Sequence, residues 1–100
     1  MTGMTRSSSG LDERRRKLLF RAWHRGMRET DLIMGRFADA YIDQLTTVEL
    51  DSFEQLMEVP DRDLHAWITG ELAVPASDDS PLFRRLHDFH HRSGDHPEGT

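Results

Sequence analysis

Apolar residues in this chain recur three and four positions apart in five successive stretches, and nowhere do they alternate with polar ones. That period places side chains on one face of an α-helix and argues against half-buried strands. Leu18 with Ala22, and Leu19 with Trp23, make the first stripe. Ile33, Phe37 and Tyr41, flanked by Met34, Ala38 and Ile42, make the second. Three more follow: Leu50, Phe53, Leu56 and Met57; Leu64, Trp67 and Ile68; Leu82, Phe83, Leu86 and Phe89. The predicted fold is all-α, a small single-domain five-helix bundle with short connections that favour antiparallel neighbours.

Local signals place the breaks. The first two helices are expected over about 11–24 and 30–44. Thr46 stands three residues before Glu49, the spacing of a capping box. Pro60 ends the third helix, because the residue before a proline disfavours the α region. Asp61 is expected to cap the fourth helix and Gly70 to end it. Residues 71–79 read as a loop. Ser80 and Pro81 suit the cap and first turn of a fifth helix that runs to about His91. The expected domain covers 11–92, between polar, disordered tails at 1–10 and 93–100. Gly35 falls inside the second helix, where it either permits a close helix approach or weakens the turn. Phe20 lies off its stripe, so it is either exposed or widens the buried face.

Several chemistries find no support. Cysteine is absent, which excludes disulfides, thiolate metal sites and cysteine nucleophiles and suits a reducing compartment. No apolar run approaches the ~20 residues of a membrane span, so no direct membrane insertion is expected. His24 and His65 have no nucleophile at a suggestive spacing, and there is no glycine-rich phosphate loop. No catalytic residue is therefore assigned. His87, His90 and His91 share one helix end, and imidazole suits zinc or nickel. No carboxylate is clearly placed to complete that set, and histidines also suit the negative end of a helix. No metal is expected.

The net charge of −5 is unevenly spread. Residues 1–30 carry eight Lys/Arg against three Asp/Glu, and residues 31–100 carry five against fifteen. Arg14, Arg15, Arg16, Lys17 and Arg21 make one basic helical face, of the kind that neutralises phosphates. The helix that follows carries Asp31, Asp39 and Asp43, whose carboxylates would repel a nucleic-acid backbone. A nucleic-acid-binding or antitoxin-like regulator is therefore the alternative reading, and no nucleic-acid partner is expected.

The corner between the first two helices is the candidate site. A glycine within a helix costs roughly 1 kcal/mol relative to alanine, so Gly26 is expected where the chain turns with positive φ. Arg25 and Arg28 would be displayed there. Met27 would offer an adaptable apolar contact, and Glu29 would lie in the first turn of the next helix.

Arg25-Gly26-Met27-Arg28-Glu29 resembles the R-G-x-x-E signature of the small flavinylation factors, the FAD assembly factors of succinate dehydrogenase. The similarity extends on both sides. Residues 16–23 resemble that family's first helix, and residues 31–38 the stretch after the signature. Phe53, Leu56, Met57, Pro60, Asp61, Asp63, Leu64 and Trp67 follow its F-x-x-L-L…P-D-x-D-L-x-x-W pattern. The resemblance spans about residues 12–92. It implies a five-helix bundle that is not an enzyme; a protein of the bacterial cytoplasm, monomeric when free and holding no cofactor stably, is expected. It implies binding to the flavoprotein subunit of succinate dehydrogenase, or of fumarate reductase, and promotion of covalent FAD attachment to a histidine of that subunit. Arg25, Gly26 and Glu29 would be contact residues, with Met27 and Arg28 at the variable positions between them. Glu29 would either pair with a partner cation or hold Arg25 in place.

Overall fold

The Asp12 carboxylate accepts a hydrogen bond from the Arg15 amide at 2.8 Å and starts the first helix, α1 (Glu13–Trp23). In this computed structural model, which describes residues 10–92, α1 begins two residues later than the stripe alone suggests. Leu11, ahead of the cap, is buried beside the core. The expected tails at 1–10 and 93–100 lie outside the described residues, Gly10 excepted.

After a short elbow comes α2 (Arg28–Tyr41), which starts two residues earlier than expected and ends sooner. Its cap is Met27, which has no side-chain acceptor to offer. α1 packs most extensively against α2, and Gly35 is the reason they approach so closely. A methyl group there would come within 3.0 Å of three Trp23 ring carbons. The indole lies over the bare glycine and donates from Nε1 to Asp39 Oδ1 at 3.2 Å.

Thr46 and Glu49 complete the predicted capping box at the head of α3 (Thr47–Met57). The next helix, α4 (Asp61–Thr69), corrects one expectation. Its cap position is Pro60, and Asp61 is its first helical residue, making no capping bond. The Asp61 carboxylate is drawn instead to a cation from the elbow. Gly70, at φ +87°, ends α4 in the left-handed conformation. The loop beyond contains one 3-10 turn, Ala76–Asp78. Ser80 Oγ then accepts from the Phe83 amide at 3.0 Å at the start of α5 (Pro81–Arg92).

α5 packs against α2, α3 and α4 and closes the core. Phe37 sits at its centre, with Tyr41, Phe53 and Phe89 rings 5.1–5.9 Å away. Leu18, Leu19, Met34, Ile42, Leu56, Leu64, Ile68, Leu82 and Leu86 fill the space around it. Phe20 remains outside, 56 % exposed, its ring stacked on His24 with centroids 3.9 Å apart. No described residue forms a strand. No described helix is long and apolar enough to cross a membrane.

Candidate partner-binding site

The elbow between α1 and α2 is built on Gly26, whose φ of +112° no L-residue adopts without strain. The Asp31 carboxylate reaches back from the first turn of α2 and fixes the turn's backbone. It accepts from the amide of Arg25 at 2.6 Å and from that of Gly26 at 3.3 Å. Apart from its two chain neighbours, no atom of a described residue lies within 4 Å of where a Gly26 side chain would begin. The backbone of the elbow is thus open on its outer side.

The five signature residues divide into two layers. Gly26, Arg28 and Glu29 are exposed and Met27 is half-buried. The side chains of Arg28 and Glu29 make no hydrogen bond or ion pair with another described residue. Arg25, expected on display, turns inward, and its side chain is only 8 % exposed. Its Nε donates to Asp61 Oδ1 at 2.5 Å, Nη1 to the Met57 carbonyl at 3.0 Å and Nη2 to the Val59 carbonyl at 2.5 Å. The cause is electrostatic. A helix leaves its last carbonyls without partners, and α3 ends at Met57 just below the elbow. A guanidinium supplies donors to those carbonyls and a counter-charge to Asp61 in one planar group.

Glu29 therefore does not hold Arg25; Asp61 does. Thr30 joins the same centre. It is fully buried, and its Oγ1 lies 3.0 Å from both the Met27 carbonyl and Asp61 Oδ1. Its single proton goes to one of them. Thr30, Asp31 and Asp61 are thus site-building residues that the motif alone does not single out. Thr30 carries a legible signal: it sits on the buried 30-33-34-37 stripe of α2, where a hydroxyl needs a partner.

Two open depressions flank the elbow. One, of about 160 Å3, is lined by Arg21, His24, Arg25 and Met57. The other, of about 250 Å3, runs from Glu29 past Leu32, Ile33 and Arg36 to His65 and His90.

The basic face of α1 is largely occupied from within. Arg14 bonds to Asp51 and Glu54 of α3 at 2.5 and 2.7 Å, and Arg21 to Glu58, the residue that caps the end of α3, at 3.0 Å. Arg15 pairs with Asp12 and donates to the Ile42 and Leu45 carbonyls beyond the end of α2. Arg16 donates to the Leu11 carbonyl, and Lys17 pairs with Glu13. The Arg14 guanidinium holds the Glu54 carboxyl below the usual range, and the carboxylates hold Arg14 well above its own. Arg14, Arg15 and Arg21 thereby stitch α1 to its neighbours, while Arg16 and Lys17 are paired locally.

The histidines of α5 follow the helix surface. His91 Nε2 lies 3.0 Å from the Ile68 carbonyl, and the His87 and His91 rings sit 4.3 Å apart. Among the described residues no group of three His or carboxylate ligands converges on one point.

A family model described as flavinator of succinate dehydrogenase matches residues 16–90. The FAD assembly factor SdhE of Acetobacter pasteurianus is 42 % identical over 85 residues, covering 80 % of this chain and 78 % of that protein. The mitochondrial succinate dehydrogenase assembly factors 2 of Kluyveromyces lactis and Scheffersomyces stipitis are 31 % and 33 % identical over 84 % and 81 % of the chain. Those matches span 54 % and 57 % of the two mitochondrial proteins, little more than half their length. With three quarters of its residues matched by that model, the chain belongs to the flavinator of succinate dehydrogenase family.

Proposed function

We propose that this protein is an assembly factor that binds the flavoprotein subunit of succinate dehydrogenase and promotes covalent attachment of FAD to it. Fumarate reductase, with a flavoprotein subunit of its own, is the second candidate client. Family membership supports the partner, and one structural observation carries the mode of action: Gly26 holds an exposed, side-chain-free elbow at φ +112°. Gly26, Met27, Arg28 and Glu29 form the proposed contact edge. Glu29 carries a charge that no described residue neutralises, which suits a cation on the partner.

In this reading the chain is not an enzyme and holds no cofactor of its own. The flavin's own electron sink supplies the bond-forming chemistry. The factor selects the flavoprotein conformer in which FAD and the acceptor histidine meet, a population shift driven by preferential binding. We place the action in the bacterial cytoplasm, with the free factor a monomer. The nucleic-acid alternative is weakened by the internal pairing of Arg14, Arg15, Lys17 and Arg21.

The test is in-gel flavin fluorescence of the denatured flavoprotein after incubation with FAD and the factor. Any side chain at Gly26 meets the same backbone strain, about 1–3 kcal/mol. Gly26→Ala and Gly26→Trp therefore lose similar stability, but only tryptophan fills the space a partner occupies. Gly26→Ala is expected to retain partial loading and Gly26→Trp none. A folded Gly26→Trp protein that loads FAD like wild type would overturn the assignment.

A further inference from the structure

We propose that Arg25, although part of the signature, is a positioning residue: it locks the α1–α2 elbow onto the α3–α4 corner and leaves partner contact to its neighbours. The proposal rests on the docking reading above and refines it. Three observations carry it. The Arg25 side chain is 8 % exposed, and its donors are directed at Asp61 Oδ1, the Met57 carbonyl and the Val59 carbonyl. A partner would have to break this set to reach the guanidinium, stranding Asp61 and the end of α3. The same Asp61 oxygen lies 3.0 Å from the buried Thr30 hydroxyl, so one carboxylate ties both sides of the elbow to the head of α4. From above, the Asp31 carboxylate holds the amides of Arg25 and Gly26. The elbow is clamped on two sides, and what it presents outward is Gly26, Arg28 and Glu29.

Clamping matters for docking because an elbow with several conformers binds more weakly in proportion to the population of the competent one. Breaking the lock should raise the concentration of factor needed for half-maximal FAD loading and leave the rate at saturating factor unchanged. A direct contact obeys a different rule: its loss adds to that of the lock.

The experiment is a double-mutant cycle on the full chain with Arg25→Ala, Asp61→Ala and the pair. Each variant is titrated against the flavoprotein in the loading assay, with hydrogen exchange measured on the free factor. Asp61→Asn, which keeps an acceptor for Arg25 Nε and drops the charge, serves as the milder variant should an alanine variant fail to fold. Each single change is expected to raise the half-maximal concentration about tenfold, and the double change no more than the worse single one. Exchange of the hydrogen-bonded elbow amides of Arg25, Gly26 and Asp31 should quicken in each variant while the core amides of α5 stay protected. A double variant about a hundredfold weaker, each loss adding in full, would show that Arg25 touches the partner and sink the proposal. Unchanged exchange of the Gly26 and Asp31 amides in Arg25→Ala would sink it as well. If wild-type factor fails to stimulate loading, the docking reading falls instead, and the exchange measurement still decides whether the lock exists.

Discussion

Replacing Gly35 by alanine sets two well-measured effects against each other. Alanine is the better helix former, and in an open helix the change would stabilise by about 1 kcal/mol. Here the new methyl lands within 3.0 Å of Trp23 Cδ2, Cε2 and Cε3. These atoms belong to a rigid ring, 8 % exposed at the whole-residue level and bonded through Nε1 to Asp39. The ring cannot fold away as a flexible chain would. Either the helices part or the indole tilts and gives up its hydrogen bond. Overpacking of a core costs about 1–3 kcal/mol, and the lost bond about 1 kcal/mol more. Subtracting the helical gain leaves a net loss of about 1–3 kcal/mol. For a domain of this size each kcal/mol moves the melting temperature by about 4–8 °C, so Gly35→Ala should melt on the order of 10 °C lower. Thermal unfolding followed by circular dichroism measures this directly. Trp23→Leu in the Gly35→Ala background should lose less than the two single changes together, because leucine leaves room for the methyl. An alanine variant that melts at or above wild type would refute the reasoning and show that helix propensity, not close approach, governs this position.

Acid should weaken the fold through its depressed carboxylates. Glu54 is held down by the Arg14 guanidinium, Glu49 by the Thr46 amide and then Arg85, and Asp12 by the Arg15 amide. A group whose pKa falls on folding contributes stability above its unfolded value and loses it as pH drops through the folded one. The urea midpoint should therefore hold with respect to these groups above about pH 5 and fall below about pH 4. Glu49→Gln with Glu54→Gln should make that decline shallower, and an unaltered slope would count against these pairs. Arg15→Met removes the donors to the Ile42 and Leu45 carbonyls and should lower stability by about 1–3 kcal/mol in urea unfolding. FAD loading by the folded variant should be unaffected, since Arg15 lies at the far end of α1 from the elbow; a selective loss of loading would contradict that.

The helices were legible because the signals that make them are local. The stripes of α2 and α3, the Thr46–Glu49 box and the Ser80-Pro81 start all act within a turn or two of sequence. Asp61 shows where locality ends. Capping rules place an acidic residue ahead of a helix, but a guanidinium 36 positions away takes its carboxylate. Gly35 was ambiguous for the same reason: its meaning depends on Trp23, which belongs to another helix. The basic run of α1 read as a surface feature because the acids that receive it, Asp51, Glu54 and Glu58, are a helix away.

The elbow shows a subtler limit. A five-residue signature reads as one site because its residues are adjacent, yet adjacency at a tight turn sends neighbouring side chains in opposite directions. The turn needs Gly26 at positive φ, and that conformation exposes the backbone while Arg25 faces the end of α3. Its guanidinium there meets carbonyls that lack helical partners and a carboxylate that would otherwise be unpaired at the head of α4. A signature position can thus be fixed by what the outer layer rests on as strictly as by what it touches. The arginine and the glycine then serve one surface from opposite sides, the first by holding the turn still and the second by keeping it bare.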